Sequence, residues 1–204
     1  MFNRLVVVVI LALAVLISTT AIAEDSLDGN VKILVHGVNG SGPVVLSGWL
    51  IGVNLAQDPS KWFVAIGLQF NGENGWLGVH AGMLIADKQV IFVPEIRGAY
   101  NGEKYSFFTN IQWIDPGNST QGAYLFLQGN RAIVKGIRLG LEAENTWKHE
   151  VEVRILATGP QWVRTSAAGP QLVFNFGEKM TCVASYQFVN EGKPHVWVRM
   201  AFSF

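Results

Sequence analysis

The last nine residues of the chain, 196–204, read VWVRMAFSF and alternate between two kinds of side chain. Every second residue is bulky and apolar: Val196, Val198, Met200, Phe202 and Phe204. The intervening positions hold tryptophan, arginine, alanine and serine. Because successive side chains of a β-strand point to opposite faces, the pattern predicts a strand with one apolar and one mixed face.

The composition narrows the class of protein. The 204 residues are 50% hydrophobic and 15% charged, with 15 basic and 15 acidic side chains. A disordered chain would carry fewer apolar residues, and a nucleic-acid-binding protein would carry a basic surplus. A single cysteine excludes a disulfide scaffold and a cysteine-rich metal site. The 22 glycines and 12 phenylalanines favour β-structure, and the length suits one domain.

Alternation with a period of two recurs along the chain, with turn residues between the runs. It predicts twelve strands, or ten if the first run and one later run are irregular. The predicted strands are 31–38, 44–55, 61–71, 76–85, 89–100, 105–113, 122–129, 137–143, 150–157, 171–176, 180–188 and 196–204. Pro94 lacks a backbone donor, so a bulge or weak pairing is expected there. Only Gly159 to Gly169 offers a long connection.

The N-terminus has the pattern of a processing segment. Arg4 precedes an apolar run over 5–17, and Ala21-Ile22-Ala23 stands before Glu24. A basic start, an apolar stretch too short to span a bilayer and an Ala-x-Ala site predict a secretory signal peptide over 1–23. The alternative is an uncleaved anchor helix. The mature domain would cover 24–204.

The two faces of the predicted strands indicate which solvent lies outside the sheet. One face holds about five bulky apolar positions per strand, which suits the roughly 9–11 residues of a tilted strand crossing a bilayer. The other face is rich in Gly, Ala, Ser, Gln and Asn, as in a crowded barrel lumen. Aromatic residues stand near the ends of runs, as in interfacial belts: Trp62, Trp76, Trp113, Trp147, Tyr100 and Tyr105. We therefore predict an all-β, antiparallel transmembrane β-barrel with short connections, and not a soluble β-sandwich.

The C-terminal run resembles the last strand of bacterial outer-membrane β-barrel proteins, which ends on an aromatic residue that the barrel assembly machinery recognises. The resemblance implies location in the outer membrane, with membrane lipid and that machinery as partners. It also implies that Phe202 and Phe204 form the assembly signal. An even number of strands would bring both termini to the periplasmic side. The short connections depart from this class, in which long extracellular loops are usual.

Charged residues on the predicted inner face are the candidates for a functional role. Four are acidic and four basic: Glu95, Arg97, Arg138, Glu142, Glu150, Glu152, Arg154 and Arg199. They either pair into a network that fills a narrow barrel, since unpaired buried charge is costly, or line a water-filled path. Their balance argues against strong ion selectivity.

Catalytic and metal-binding motifs are not evident. The segment 33–42 resembles the oxyanion loop of α/β-hydrolases, but no Gly-x-Ser-x-Gly elbow accompanies it. The four histidines, His36, His80, His149 and His195, are too far apart for metal-ligand spacing. We expect no enzyme activity, cofactor, metal or nucleic-acid partner. The predicted function is a small passive pore or transporter for modest polar solutes. The alternatives are a non-conducting structural or interaction barrel, or a soluble exported domain that binds a ligand. The oligomeric state stays open.

Overall fold

The computed structural model describes residues 28–53, 55, 59–86, 89–115, 121–150 and 161–204. The predicted signal peptide, 1–23, lies outside the described residues. All regular elements of the described part are strands. No helix in this part is long and apolar enough to span a membrane.

Twelve strands follow one another along the described part of the chain. This is the predicted number, although the fifth predicted strand is split in two and the predicted strand 150–157 contributes only Glu150, the last residue of β9. They are β1 (Asp28–Asn39), β2 (Val44–Gly52), β3 (Trp62–Asn71), β4 (Gly75–Ala86), β5 (Gln89–Phe92), β6 (Glu95–Asn101), β7 (Tyr105–Ile114), β8 (Gly122–Val134), β9 (Ile137–Glu150), β10 (Gln161–Phe176), β11 (Met180–Val189) and β12 (His195–Ser203).

The strands form a closed barrel, which confirms the predicted fold. Eleven of them make the wall, each paired with its neighbours in sequence, and β5 lies outside this ring. All pairs are antiparallel except the last, because an odd number of strands can close only with one parallel pair. That pair joins β1 to β12, from Asp28 beside His195 to His36 beside Ser203. The first strand therefore begins at one rim and the last strand ends at the other, so the expectation of both termini on one side is wrong.

The odd number arises because Ile137–Glu150 forms one strand, β9, where the sequence predicts a strand over 137–143 and another over 150–157. The fifth predicted strand is split as well, but only its second part, β6, belongs to the wall. β5 ends before Val93, β6 begins after Pro94, and both pair with β4 along successive parts of its length. Proline has no N–H to donate to a ladder, so the pairing is interrupted there, as expected. The Pro94 carbonyl still accepts a hydrogen bond from the Trp113 amide at 3.0 Å.

The β9–β10 region differs from the prediction. Glu150 is the last residue of β9, and 151–157 of the predicted strand lie outside the described residues. The predicted long connection is wrong over 161–169, which belongs to β10 and pairs with β9. Small and turn-forming residues there favour a loop locally, but pairing with β9 along the whole segment, and with β11 at Ala167 and Ala168, holds it extended.

The barrel is inside out compared with a water-soluble protein. Large apolar side chains point outward and are exposed, for example Ile66 at 58% and Leu141 at 67%. Charged and amide side chains point inward and are buried, for example Glu95 at 1% and Gln171 at 2%. The predicted alternation of faces is therefore present in the wall, although the outward residues Cys182, Val198 and Met200 of β11 and β12 are buried and not exposed.

Two rims follow from the topology. The short-turn rim carries the connections 40–43, 72–74, 102–104, 135–136 and 177–179, together with Phe204. Among the described residues, the long-loop rim carries 53, 55, 59–61, 115, 121 and 190–194, together with the start of β1. At the short-turn rim Gly136 has a φ of 82°, which a glycine adopts without strain in the tight turn between β8 and β9.

Candidate functional site

A first charged cluster surrounds Glu95 on the inner face of the wall. Arg97 stands two residues further along β6, and therefore on the same face. Its Nε donates to Glu95 Oε1 at 2.5 Å and its Nη2 to Oε2 at 2.8 Å. Gln112 Nε2 donates to the same Oε2 at 2.8 Å. The guanidinium also lies over the Trp49 ring at 4.4 Å, so the buried ion pair is enclosed by polar and aromatic partners.

A second charged cluster surrounds Glu142 and joins β8 to β12 across the interior. Arg199 Nη2 donates to the Glu142 carboxylate, and Gln187 Nε2 donates to it at 2.6 Å. Arg199 Nη2 also donates to Gln171 Oε1 at 3.1 Å. Gln171 Nε2 in turn donates to Asn130 Oδ1 at 2.7 Å. Each charge is therefore matched, and the amides extend the network to β8.

A third acidic side chain, Glu144, lies two residues after Glu142 on β9. Glu144 accepts a hydrogen bond from the Tyr124 hydroxyl at 2.9 Å. Lys32 Nζ is 3.9 Å from the same carboxylate and lies over the Trp197 ring at 3.9 Å. This contact links β1 to β9, which are separated by three strands of the wall.

The predicted inner-face charges divide into three groups. Glu95 pairs with Arg97 and Glu142 with Arg199, so the structure brings two opposite-sign pairs together. Arg138 stands apart near the short-turn rim, where its Nη2 donates to the Gly102 carbonyl at 3.1 Å. The remaining three are outside what the structure describes: the side chain of Glu150, and Glu152 and Arg154 entirely. That these residues line a pore stays a prediction.

Aromatic rings of the interior contact one another in a row. His36 stacks on Trp49 with ring centroids 4.0 Å apart. Trp49 contacts Trp76 at 6.0 Å, Trp76 contacts Phe108 at 6.2 Å, and Phe108 contacts Phe126 at 6.0 Å. This row begins with His36 on β1 and ends with Phe126 on β8, which stand on opposite sides of the ring.

The sequence did not predict the polar chain around Ser47. Its hydroxyl lies 3.0 Å from His36 Nε2 and 3.1 Å from His80 Nε2, and His80 Nδ1 is 3.7 Å from Glu95 Oε1. The order serine, histidine, carboxylate is that of a nucleophilic triad. However, Ser47 is buried and Glu95 is already bound to Arg97 and Gln112. The only signal in the sequence is that all these residues occupy inner-face positions of nearby strands.

A cavity of about 220 Å³ remains in the half of the interior next to the long-loop rim. Nine of its fifteen lining residues are apolar, and none is a carboxylate. The charged side chains that line it are Lys32, Arg97 and Arg199. This interior space has room for a small ligand.

The two residues of the predicted assembly signal lie on β12 and directly after it. Phe202 packs against an apolar cluster of Cys182, Val198 and Met200 on the outer face. Phe204 is 67% exposed. Its backbone is bonded at the seam, the parallel β1–β12 pair that closes the barrel. Its N–H donates to the His36 carbonyl at 3.0 Å, and its carbonyl accepts from Val38 N–H at 3.1 Å. Recognition by an assembly machinery stays a prediction.

Metal sites and known relatives give no further assignment. Among the described residues, no group of three or more His, Cys, Asp or Glu side chains is placed to hold a metal ion. A comparison of the sequence with protein families finds no matching family, and a comparison with curated proteins finds no matching relative. The class defined by the fold and the interior is a closed β-barrel with an apolar outer face.

Proposed function

We propose that this chain is an outer-membrane β-barrel whose interior is occluded, so that it acts as a non-conducting structural or binding barrel. The observation that carries the proposal is the inverted distribution of side chains. Large apolar residues such as Ile66 and Leu141 are exposed, while Glu95 and Glu142 are buried.

A bilayer explains this distribution better than water does. Soluble monomers rarely expose contiguous apolar patches larger than a few hundred Å², yet exposed apolar side chains occur on strands around the wall. In hydrocarbon the same surface is matched to its solvent. Closure of the ring also pairs the backbone N–H and C=O groups of the wall, as a membrane-spanning sheet requires.

The interior favours the non-conducting alternative over the passive pore predicted first from the sequence. Side chains that line a water-filled channel are hydrated, whereas Glu95, Arg97 and Glu142 are only 1–2% exposed. Their ion pairs and the aromatic row from Trp49 to Phe126 occupy the space that a water path would need. A barrel of about eight strands is filled by its own side chains, and a barrel of sixteen or more strands leaves a channel. With eleven strands in the wall, the strand number alone does not decide, and the packing of the interior does.

The resemblance of the C-terminal strand supplies the proposed location and partners. The chain is exported by its cleaved signal peptide, inserted by the outer-membrane assembly machinery and surrounded by lipid. Phe204 is available for such recognition, because its side chain is exposed at the short-turn rim.

Two measurements on the full-length protein, expressed in a Gram-negative host, test the proposal. We expect the protein in the outer-membrane fraction, with folded and heated forms that migrate differently on a denaturing gel. Recovery from the soluble periplasmic fraction would overturn the membrane assignment and favour a soluble exported domain.

Conductance in planar lipid bilayers separates the two membrane functions. We expect no conductance steps above those of bilayers without protein. A matched variant that removes both charges of the first cluster, Glu95→Ala with Arg97→Ala, should conduct more than the wild type if these side chains help to close the interior. Regular steps from the wild-type barrel would establish the passive pore instead.

A further inference from the structure

The lumen cavity combines an apolar lining with cationic side chains. Leu34, Phe63 and Leu84 are among the apolar residues that line it. Lys32, Arg97 and Arg199 line it as well, while their carboxylate partners do not. A bound molecule would therefore contact the cations directly, with the carboxylates behind them.

Two polar atoms at this cavity lack partners. Arg199 Nε and Asn110 Oδ1 are buried and accept or donate no hydrogen bond within the protein. Both residues line the cavity. Buried polar groups are normally hydrogen-bonded, so an unmatched donor and an unmatched amide oxygen on residues that line the same cavity indicate that a polar group from outside the chain completes them. The amide of Asn110 can present either its oxygen or its nitrogen, since the two are assigned from partners.

We propose that the lumen cavity binds a medium-chain amphipathic anion, an alkyl carboxylate or alkyl phosphate monoester. The anionic head would accept hydrogen bonds from Arg199 Nε and from the amide nitrogen of Asn110. The alkyl tail would pack against Leu34, Phe63 and Leu84. This proposal rests on the occluded interior proposed above, because an open channel would leave the cavity full of mobile water.

Charge and volume define the class of ligand. A cationic head would face three positive side chains and no carboxylate, so an amine is disfavoured. The volume of about 220 Å³ has room for about seven water-sized groups at about 30 Å³ each. That corresponds to a tail of about six to eight carbons, and octanoate is therefore the probe.

Equilibrium dialysis of the full-length barrel in phosphatidylcholine nanodiscs tests the proposal, with protein-free nanodiscs as the blank. We expect saturable binding of one octanoate per chain. Affinity should rise about fourfold per methylene from butanoate to octanoate, because each buried methylene contributes that much. A comparison of octyl phosphate with octanoate shows whether the site prefers a phosphate or a carboxylate head group. Octylamine and octanol, which have the same tail without an anionic head, should bind more weakly than octanoate does.

Three variants assign the binding to this cavity. Asn110→Leu keeps the size of the side chain and removes its amide, and should weaken octanoate binding by about tenfold, the value of a hydrogen bond to a charged group. Leu84→Phe fills the cavity without a change of charge and should reduce binding to the level of protein-free discs. Arg138→Gln also removes an inner-face charge, but its residue does not line the cavity, and it should bind as the wild type does.

The outcomes distinguish this proposal from the proposed function. A barrel that inserts into membranes and conducts nothing, but binds octanoate no better than octylamine, would overturn the ligand site and leave the membrane assignment intact. Unchanged octanoate binding in a folded Leu84→Phe variant would also overturn it. Each variant is first checked for the heat-dependent gel shift, so that loss of the fold is not mistaken for loss of the site.

Discussion

The Arg199 guanidinium is buried and matched by the Glu142 carboxylate and the Gln171 amide. We expect Arg199→Gln to lower the free energy of unfolding by roughly 3–5 kcal/mol, because it leaves a buried carboxylate without its cation. Urea unfolding of the barrel in lipid vesicles, followed by tryptophan fluorescence, measures the loss.

The matched control removes both charges. In the double variant Glu142→Gln with Arg199→Gln no charge is left unpaired, and the barrel should be more stable than the Arg199→Gln single variant. Equal or lower stability of the double variant would mean that the hydrogen-bond network, and not the charge balance, sets the cost.

Gly140 tests how closely neighbouring strands approach inside the barrel. A Cβ at this inner-face position would overlap the Gly129 carbonyl and the Asn130 side chain on β8. Gly140→Ala should therefore destabilise the barrel by about 1–3 kcal/mol, the usual cost of overpacking. Gly37→Ala is the control, because a Cβ there meets nothing within 4 Å. Similar unfolding midpoints for the two variants would contradict this account.

Alternation predicts where single residues point, but not which residues they meet. It gives Glu95, Arg97, Glu142 and Arg199 an inner face, and the structure has all four there. Their partners lie on strands that are not neighbours in the wall, as in the hydrogen bond from Arg199 on β12 to Glu142 on β9. Such contacts depend on strand tilt and barrel diameter, which one sequence does not encode locally.

At the scale of an element, the outer face of β3 tests the solvent around the barrel. Ile66 lies in the middle of this strand and is 58% exposed. If the strand crosses a bilayer, Ile66→Arg should cost roughly 2–4 kcal/mol near the midplane. Glu73→Arg, in the exposed turn after β3, should leave stability unchanged. In a water-soluble protein both variants would be neutral, so equal unfolding free energies would contradict the membrane assignment.

Phe204, directly after β12, has two separable roles: its backbone closes the seam, and its ring is the proposed assembly signal. Its backbone bonds to His36 and Val38 close the seam, whereas its exposed ring makes no comparable contribution to packing. If the ring is an assembly signal, Phe204→Ala should lower the amount of barrel in the outer membrane nearly as much as deletion of the residue. Phe204→Tyr should keep it. Immunoblots of outer-membrane fractions measure the amounts, and normal levels of Phe204→Ala would leave only the backbone role.

Element boundaries were predictable where side chains alternate, and less so where proline and small residues intervene. The break at Pro94 follows from its missing donor and was expected. The extension of β10 through Ala167 and Gly169 was not, because small residues near Pro170 favour a turn. The ladder to β11 is interrupted at that proline, while the ladder to β9 continues past it.

At the scale of the whole molecule, the two rims should face different compartments. Barrels of this class have short turns on the periplasmic side and longer loops outside. In a Cys182→Ser background, a cysteine at Glu191 in the long-loop rim should react with a membrane-impermeant maleimide in intact cells. A cysteine at Glu73 in the short-turn rim should react only after the outer membrane is permeabilised. The reverse pattern would show that the barrel has the opposite orientation.

The parallel pairing of β1 with β12 could not be predicted from the sequence. An alternating strand has the same faces whichever direction its partner runs, so β1 and β12 carry no local mark of their parallel pairing. Only the number of strands in the ring determines it, and that number is eleven instead of twelve because 137–150 forms the single strand β9.

The seam also bears on how fast the barrel can form. Every other pair in the wall joins strands close in sequence, so hairpins can build up one after another from local contacts. The β1–β12 pair joins the two ends of the chain, and such distant contacts slow folding because loop-closure entropy must be overcome before they form. Parallel pairing is slightly weaker per residue as well. We therefore expect the last step of folding to be the pairing of β1 with β12, which closes an open, curved sheet into the barrel. The same pair should separate first when the barrel unfolds.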